Sequence, residues 1–313
     1  AHSSNHNYKH PDLNYIIQNN YDADGVKNFE KINTSEKNQI IAMFGDSFTE
    51  NIGVDRQFEY SNILNQNIEN FNVVNYGVGG YSADQVFIRY LKYKHHDIKY
   101  IFYHLMPGDE GFSTKSEFYA DGRFTIDKPK LNLLIQVLGK LNLTYFFIDN
   151  YYFLKSILSK SYSYTNIENY NSILSNKIYQ KFYHQDLNKC ENSIKNYQEC
   201  KLKLLNLLKI FQAEAEINNI KFYVLVYPDS NFVSFFEEVL KLNKNNILYF
   251  VLDSELAENK KLTFKNPKDP HWNEYGNILY ANNLFNIFSQ VGIESKQIDI
   301  NKFFKKIDNF YDN

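Results

Sequence analysis

Five short, largely apolar runs constrain this chain more than any other feature. They cover residues 40–44, 71–76, 100–105, 221–227 and 246–252. Four of them end in a glycine or proline turn: Gly45-Asp46-Ser47, the Gly77, Gly79, Gly80 cluster, Pro107-Gly108 and Pro228. A strand with one wet face alternates apolar and polar residues. A run that is apolar throughout is buried on both faces, which is the signature of a parallel sheet covered by helices. Segments 57–68, 82–93, 195–218 and 273–290 supply apolar residues at helical spacing, among them Phe58, Ile63, Leu64 and Ile68 in the first and Leu202, Leu205, Leu208 and Phe211 in the third. The expectation is an α/β fold, a three-layer α/β/α sandwich with a parallel, flavodoxin-like central sheet.

Two stretches fall outside this rhythm. Residues 1–38 are polar and weakly patterned, and read as an N-terminal arm whose His2, His6 and His10 belong to a disordered or tag-derived tail. Residues 111–200 lose the βα alternation and are rich in Tyr, Asn, Ser and Lys. With apolar stretches at 131–141 and 145–158, they read as a mostly helical insertion within one domain spanning 39–313. A chain of 313 residues fits that organisation, because single cores stop growing near ~250–300 residues.

Composition removes several function classes. Lys and Arg total 34 against 36 Asp and Glu, so there is no basic footprint for nucleic acid. No apolar run is long enough to span a bilayer. Cys190 and Cys200 form no C-x-x-C motif, and inert thiols are the default for them, with a bridge left open. His95-His96 reads as a solvated surface pair, and no spacing suggests a metal or a cofactor. The 26 Tyr and 26 Phe read as compositional bias rather than a functional signal. Residue 1 is Ala, not Met. The expectations are an upstream segment removed before it, such as a signal or an anchor, and an extracytoplasmic or membrane-associated location.

The chemistry concentrates at strand ends, where open α/β sheets place their active sites. Ser47 follows the first strand in Phe44-Gly45-Asp46-Ser47-Phe48-Thr49. A serine hydroxyl becomes nucleophilic when a base takes its proton and a third group orients that base. Asp269-Pro270-His271-Trp272-Asn273 places an acid and an imidazole two residues apart before the last helix. Each motif has a plain structural reading too: Asp46 or Ser47 as a helix N-cap, Asp269 and His271 as a surface loop pair. The glycines at 77, 79 and 80 mark a backbone in unusual dihedrals; without a Walker lysine they make a poor phosphate loop.

In this order the motifs resemble the SGNH/GDSL hydrolase family, in particular its bacterial esterase and O-acetyltransferase members. The likeness covers residues 40–109 and 220–290, about half the chain, with a looser match at Asp24-Gly25-Val26-Lys27. It implies Ser47 as nucleophile, His271 as base and Asp269 as the acid that orients it. It also implies an oxyanion hole from the N–H groups of Ser47 and Gly80, with Gly79 as the neighbouring candidate. The implied substrate is a small-molecule or glycan ester, hydrolysed by water or passed to a sugar hydroxyl by an O-acyltransferase. Two positions depart from the family pattern. Gly108-Asp109 stands where an Asn-Asp is usual, which removes a side-chain oxyanion donor and opens a third reading, a weak or inactive binding protein on the same fold. His104 and Asn75 could replace that donor, though strand packing and turn bonding are the readings favoured for them. The acid and base are also one residue closer than the commonest form.

Overall fold

The computed structural model describes residues 4–22, 25–27, 39–106, 116–118, 124–126, 197–226, 247–249, 262–265, 269 and 271–312. In chain order these form β1 (Ser4–Lys9), β2 (Ile16–Tyr21), β3 (Ile40–Gly45), α1 (Ser47–Glu50), a 3₁₀ turn (Arg56–Phe58), α2 (Tyr60–Asn67), β4 (Asn72–Asn75), α3 (Ala83–Tyr93) and β5 (Ile98–Leu105). There follow β6 (Ser116–Phe118), β7 (Phe124–Ile126), α4 (Tyr197–Ile217), β8 (Lys221–Val226), β9 (Ile247–Tyr249), α5 (Glu274–Gln290) and α6 (Ile300–Asp312).

The central sheet runs β4-β3-β5-β8-β9 with every pair parallel. The chain starts near the middle, steps outward to β4, then returns across β3 to build the other side. That reversal creates a switch point between β3 and β5, and ligand crevices form outside the carboxyl ends of the strands at such points. Ser47 leaves β3 at this place.

Strand alternation explains the three layers. Ile40, Ala42 and Phe44 of β3 join Ile101, Tyr103, Phe222 and Val224 in a core covered by α3 and α4. Ile41 and Met43 face the opposite way, with Phe102 and Leu225, into a core covered by α2, α5 and α6. All six residues of β3 are buried, so its sequence carries no polar alternation. Phe211 of α4 sits among aromatic rings, its centroid 4.8 Å from Tyr90, 4.6 Å from Phe222 and 5.2 Å from Phe87. These Tyr and Phe rings therefore do packing work, and truncating a ring so placed costs about 3–5 kcal/mol. On α4 the buried leucines include Leu204 and Leu207 beside the expected Leu208; the side chains of Leu202 and Leu205 lie outside the described residues.

For the described residues of the N-terminal arm, the reading as a disordered tail is corrected; His2 and the side chain of His6 lie outside the described residues. β1 and β2 pair antiparallel, and β2 alternates exposed and buried residues. The buried positions are Ile17, Asn19 and Tyr21, while Ile16 points outward at 51 % exposure. A polar residue inside and an apolar one outside hide this strand from a pattern search. His10 is buried too, and its role is structural. Its Nδ1 accepts from the N–H groups of Asp12 and Leu13, which leaves the proton on Nε2 to donate to Glu274 Oε1 at 3.1 Å. Glu274 Oε2 accepts from Tyr311 at 2.6 Å, so one carboxylate ties the arm to α5 and α6.

Helix α6 adds to the sequence-based expectation; Phe304 and Ile307 are buried and Ile300, Phe303 and Tyr311 pack beside them, at helical spacing. Within 111–200, expected to be mostly helical, β6 and β7 pair antiparallel and α4 begins at Tyr197. The stretches 131–141 and 145–158, Gly108-Asp109, Cys190 and the side chain of Cys200 lie outside the described residues.

Candidate active site

Ser47 is the first residue of α1, one turn long, and Asp46 is its N-cap: Asp46 Oδ1 accepts from Phe48 N–H at 2.9 Å. The capping residue and the candidate nucleophile are therefore adjacent residues, Asp46 and Ser47. Gly45 makes the turn sterically feasible. A Cβ there would lie 2.1 Å from Thr49 Oγ1 and 2.9 Å from the His104 carbonyl oxygen. The space a side chain would need is taken by α1 and β5, not by a ligand.

His271 precedes α5, whose N-cap Asn273 accepts from Gly276 N–H at 3.2 Å. Trp272 pairs with Thr263 in an isolated bridge, and Asn273 N–H donates to Leu262 at 3.0 Å, which pins the loop after His271. The His271 ring lies 4.7 Å from that of Phe48.

These two loops meet. His271 Nε2 lies 2.7 Å from Ser47 Oγ, and His271 Nδ1 lies 2.7 Å from Asp269 Oδ1. The same carboxylate oxygen accepts from His271 N–H at 3.1 Å. A carboxylate only accepts, so Nδ1 carries the ring proton and Nε2 faces the serine as an acceptor. Ser47 and His271 are half-buried and Asp269 is largely covered, so the group stays reachable from solvent. Deeper contacts hold the register: Asn51, which ends α1 at φ 58°, donates through Nδ2 to Asn277 Oδ1 of α5 at 2.5 Å. Both asparagines are buried, and this bond fixes the serine helix against the helix that follows the histidine.

The glycine turn lies beside them. Tyr81 N–H closes it onto Val78 O at 3.2 Å, with Gly80 at φ 78°, the value a type II turn requires at its third position. Gly79 N–H is already engaged by Glu50 Oε2, whereas Gly80 N–H has no partner among the described residues. Both glycines are exposed. Asn75 is not a substitute oxyanion donor: its Nδ2 donates to Thr49 O at 2.6 Å and its Oδ1 accepts from Gly77 N–H at 2.9 Å. His104 is a core residue, stacked on Trp272 and Tyr280, and burial pushes its imidazole down to about 3. Burial also pushes the Asp46 carboxyl up to about 6, against the opposing pull of Phe48 N–H and the nearby His271.

Sequence reasoning missed the buried polar ring behind the serine. Lys27 Nζ pairs with Glu59 at 2.6 Å and also reaches the carbonyl oxygens of Glu50 and Asn51. Arg89 donates to Tyr76 O and Gly25 O, each at 2.7 Å. The loose match at Gly25-Val26-Lys27 was the one signal that pointed here. His96 is also more engaged than expected, half-buried and bonded through Nδ1 to Tyr76 Oη at 2.7 Å, whereas His95 is exposed. Among the described residues, no cluster of His, Cys, Asp or Glu could hold a metal ion, and no helix is long and apolar enough to cross a membrane.

Fold and geometry together define an α/β protein with a Ser–His–Asp constellation at the carboxyl edge of a parallel sheet. No protein-family model matches the chain, and no curated relative does. Among solved structures it is similar to a member of the lipolytic protein G-D-S-L family from Veillonella parvula, with 14 % identity, 80 % of this chain and 99 % of the other covered, and a TM-score of 0.39. It is also similar to the psychrotrophic esterase EstA from a Pseudoalteromonas species, inhibited by monoethylphosphonate, with 10 % identity, 82 % and 98 % covered, and a TM-score of 0.43. At such scores neither likeness carries weight beyond the geometry.

Proposed function

We propose that this protein is a serine hydrolase of the esterase type, with Ser47 as nucleophile, His271 as general base and acid, and Asp269 as the group that orients His271. The observation that carries this reading is the imidazole bridging Ser47 Oγ and Asp269 Oδ1, 2.7 Å on each side. In the acylation step, Ser47 Oγ bonds to the ester carbonyl carbon as its proton passes to His271 Nε2. The negative charge that develops on the carbonyl oxygen is met by the N–H groups of Ser47 and Gly80, and such donors act where charge forms. His271 then returns the proton to the leaving alcohol as that C–O bond breaks. Water repeats the sequence on the acyl-serine and releases the acid. Asp269 keeps the ring in the tautomer each step needs and offsets the imidazolium charge.

Half-burial of the pair favours a substrate that presents its ester at a surface, such as a short acyl group on a small alcohol or a glycan. Hydrolysis of p-nitrophenyl acetate by the wild type and by Ser47→Ala tests the reading, together with fluorophosphonate labelling. Equal turnover by both proteins and no label on Ser47 would sink it. Product analysis with acetylated glycans then separates release of acetate from transfer to a sugar hydroxyl.

A further inference from the structure

We propose that Glu50 is a positioning residue that holds the Gly79-Gly80 turn against Ser47, and so keeps the Gly80 N–H in place for the oxyanion. This rests on the serine hydrolase reading and assigns that site a further residue. Glu50 follows Ser47 by three residues on α1 and is 4 % exposed. Its Oε2 accepts from Gly79 N–H, and its Oε1 accepts from Tyr21 Oη–H at 2.5 Å. A Cβ on Gly79 would lie 3.1 Å from Glu50 Oε2 and 3.5 Å from Ser47 Cβ, so the turn is seated against both residues. Two buried cations lie nearby: Lys27 pairs with Glu59 and reaches the Glu50 carbonyl, and Arg89 donates to Tyr76 O and Gly25 O while the Glu50 charge favours its protonated form.

This arrangement has a consequence for charge and shape. A carboxylate accepts from both Gly79 and Tyr21, whereas a carboxamide of the same shape holds Gly79 only through a weaker, neutral oxygen, and only if Tyr21 reverses its bond to accept from the NH₂. One end of Glu50 thus fixes the turn, and the other binds the N-terminal hairpin through Tyr21. An oxyanion donor acts only from a defined distance, so a small displacement of the turn erodes transition-state stabilisation while leaving ester binding nearly intact.

The test compares wild type, Glu50→Gln and Tyr21→Phe on p-nitrophenyl acetate and on its thionoacetate analogue, with thermal melting alongside. Sulfur draws much less from hydrogen-bond donors than oxygen does. Loss of a placed oxyanion donor therefore lowers turnover of the oxygen ester selectively, whereas general damage lowers both. The expected result for Glu50→Gln is a kcat about 10–100-fold lower on the oxygen ester, KM within about twofold, and the thiono ester within about threefold. Tyr21→Phe shifts the same ratio in the same direction by a smaller factor, and carries the test if Glu50→Gln does not fold. An equal loss on both esters, or an unchanged kcat, overturns the role given to Glu50 while leaving the Ser47 reading in place. Equal turnover by wild type and Ser47→Ala removes the serine reading itself, and this one with it.

Discussion

The two halves of the site are held in opposite ways. Ser47 stands on a one-turn helix wedged among buried charges: Lys27 with Glu59, Glu50 with Tyr21 and Gly79, and Arg89 on the carbonyls of Gly25 and Tyr76. His271 stands on a loop in contact with solvent, and its acid lies two residues away. The position of Ser47 is set by residues far apart in sequence. The Asp269–His271 pair is set locally, by a short loop and the N-cap of α5. A nucleophile must be fixed to a fraction of an ångström relative to oxyanion donors on another loop, which needs a rigid frame. A base has to swing slightly between nucleophile and leaving group, which a locally bonded loop permits.

Substitutions can sharpen or break that contrast. The largest effect belongs to the chemistry: Ser47→Ala and His271→Ala should each lower kcat about 10⁴-fold or more, with melting temperatures unchanged within a few degrees. Asp269→Asn should cost up to about 10⁴-fold in kcat, since an amide offers His271 the wrong tautomer. Residual rates close to wild type would place the base elsewhere.

The buried frame should answer in stability. Lys27→Met takes the cation from Glu59 in a pair that is 1 % and 2 % exposed, and should cost about 3–5 kcal/mol in urea unfolding. A loss near zero would mean that the serine side is no more tightly framed than the histidine side.

Asp46 lies at the junction of the two halves and makes a pH-dependent test. Burial, its largest influence, raises its carboxyl from 3.8 to about 6. The folded state therefore holds this proton more tightly than the unfolded chain does. The stabilisation is complete below the unfolded value and is lost as pH rises through about 6. Asp46→Asn cannot ionise and keeps an oxygen to accept from Phe48 N–H. It should match the wild type near pH 4 and gain on it by up to about 3 kcal/mol by about pH 7. Parallel unfolding curves at every pH would remove Asp46 as a source of strain. The smallest effect is on the local side: Asn273→Ala removes the cap of α5 and should cost about 1 kcal/mol, read by thermal melting.

The parallel sheet was legible because burial on both faces leaves a local trace, an apolar run closed by a turn. The same holds for Ser47, Asp269 and His271, which sit at strand and helix ends where turn residues announce themselves. The N-terminal hairpin was not legible: Asn19 and His10 point inward and Ile16 points outward, and the polar partners lie far along the chain, Ile52 O for Asn19 and Glu274 of α5 for His10. Glu50 was invisible for the same reason, as an acidic residue on a short helix whose burial depends on Tyr21 and Gly79.

By itself, the amino-acid order determined the strands of the central sheet, their parallel sense and the residue types available for acyl chemistry, because these depend on local pattern and spacing. Only the tertiary structure decided that Ser47 and His271 meet at 2.7 Å, that Gly79 N–H is taken and Gly80 N–H remains, and that the arm belongs to the frame of the site. The physical reason is that buried polar groups need partners. Those partners come from wherever the fold brings a donor or acceptor within reach, a condition that sequence spacing does not encode.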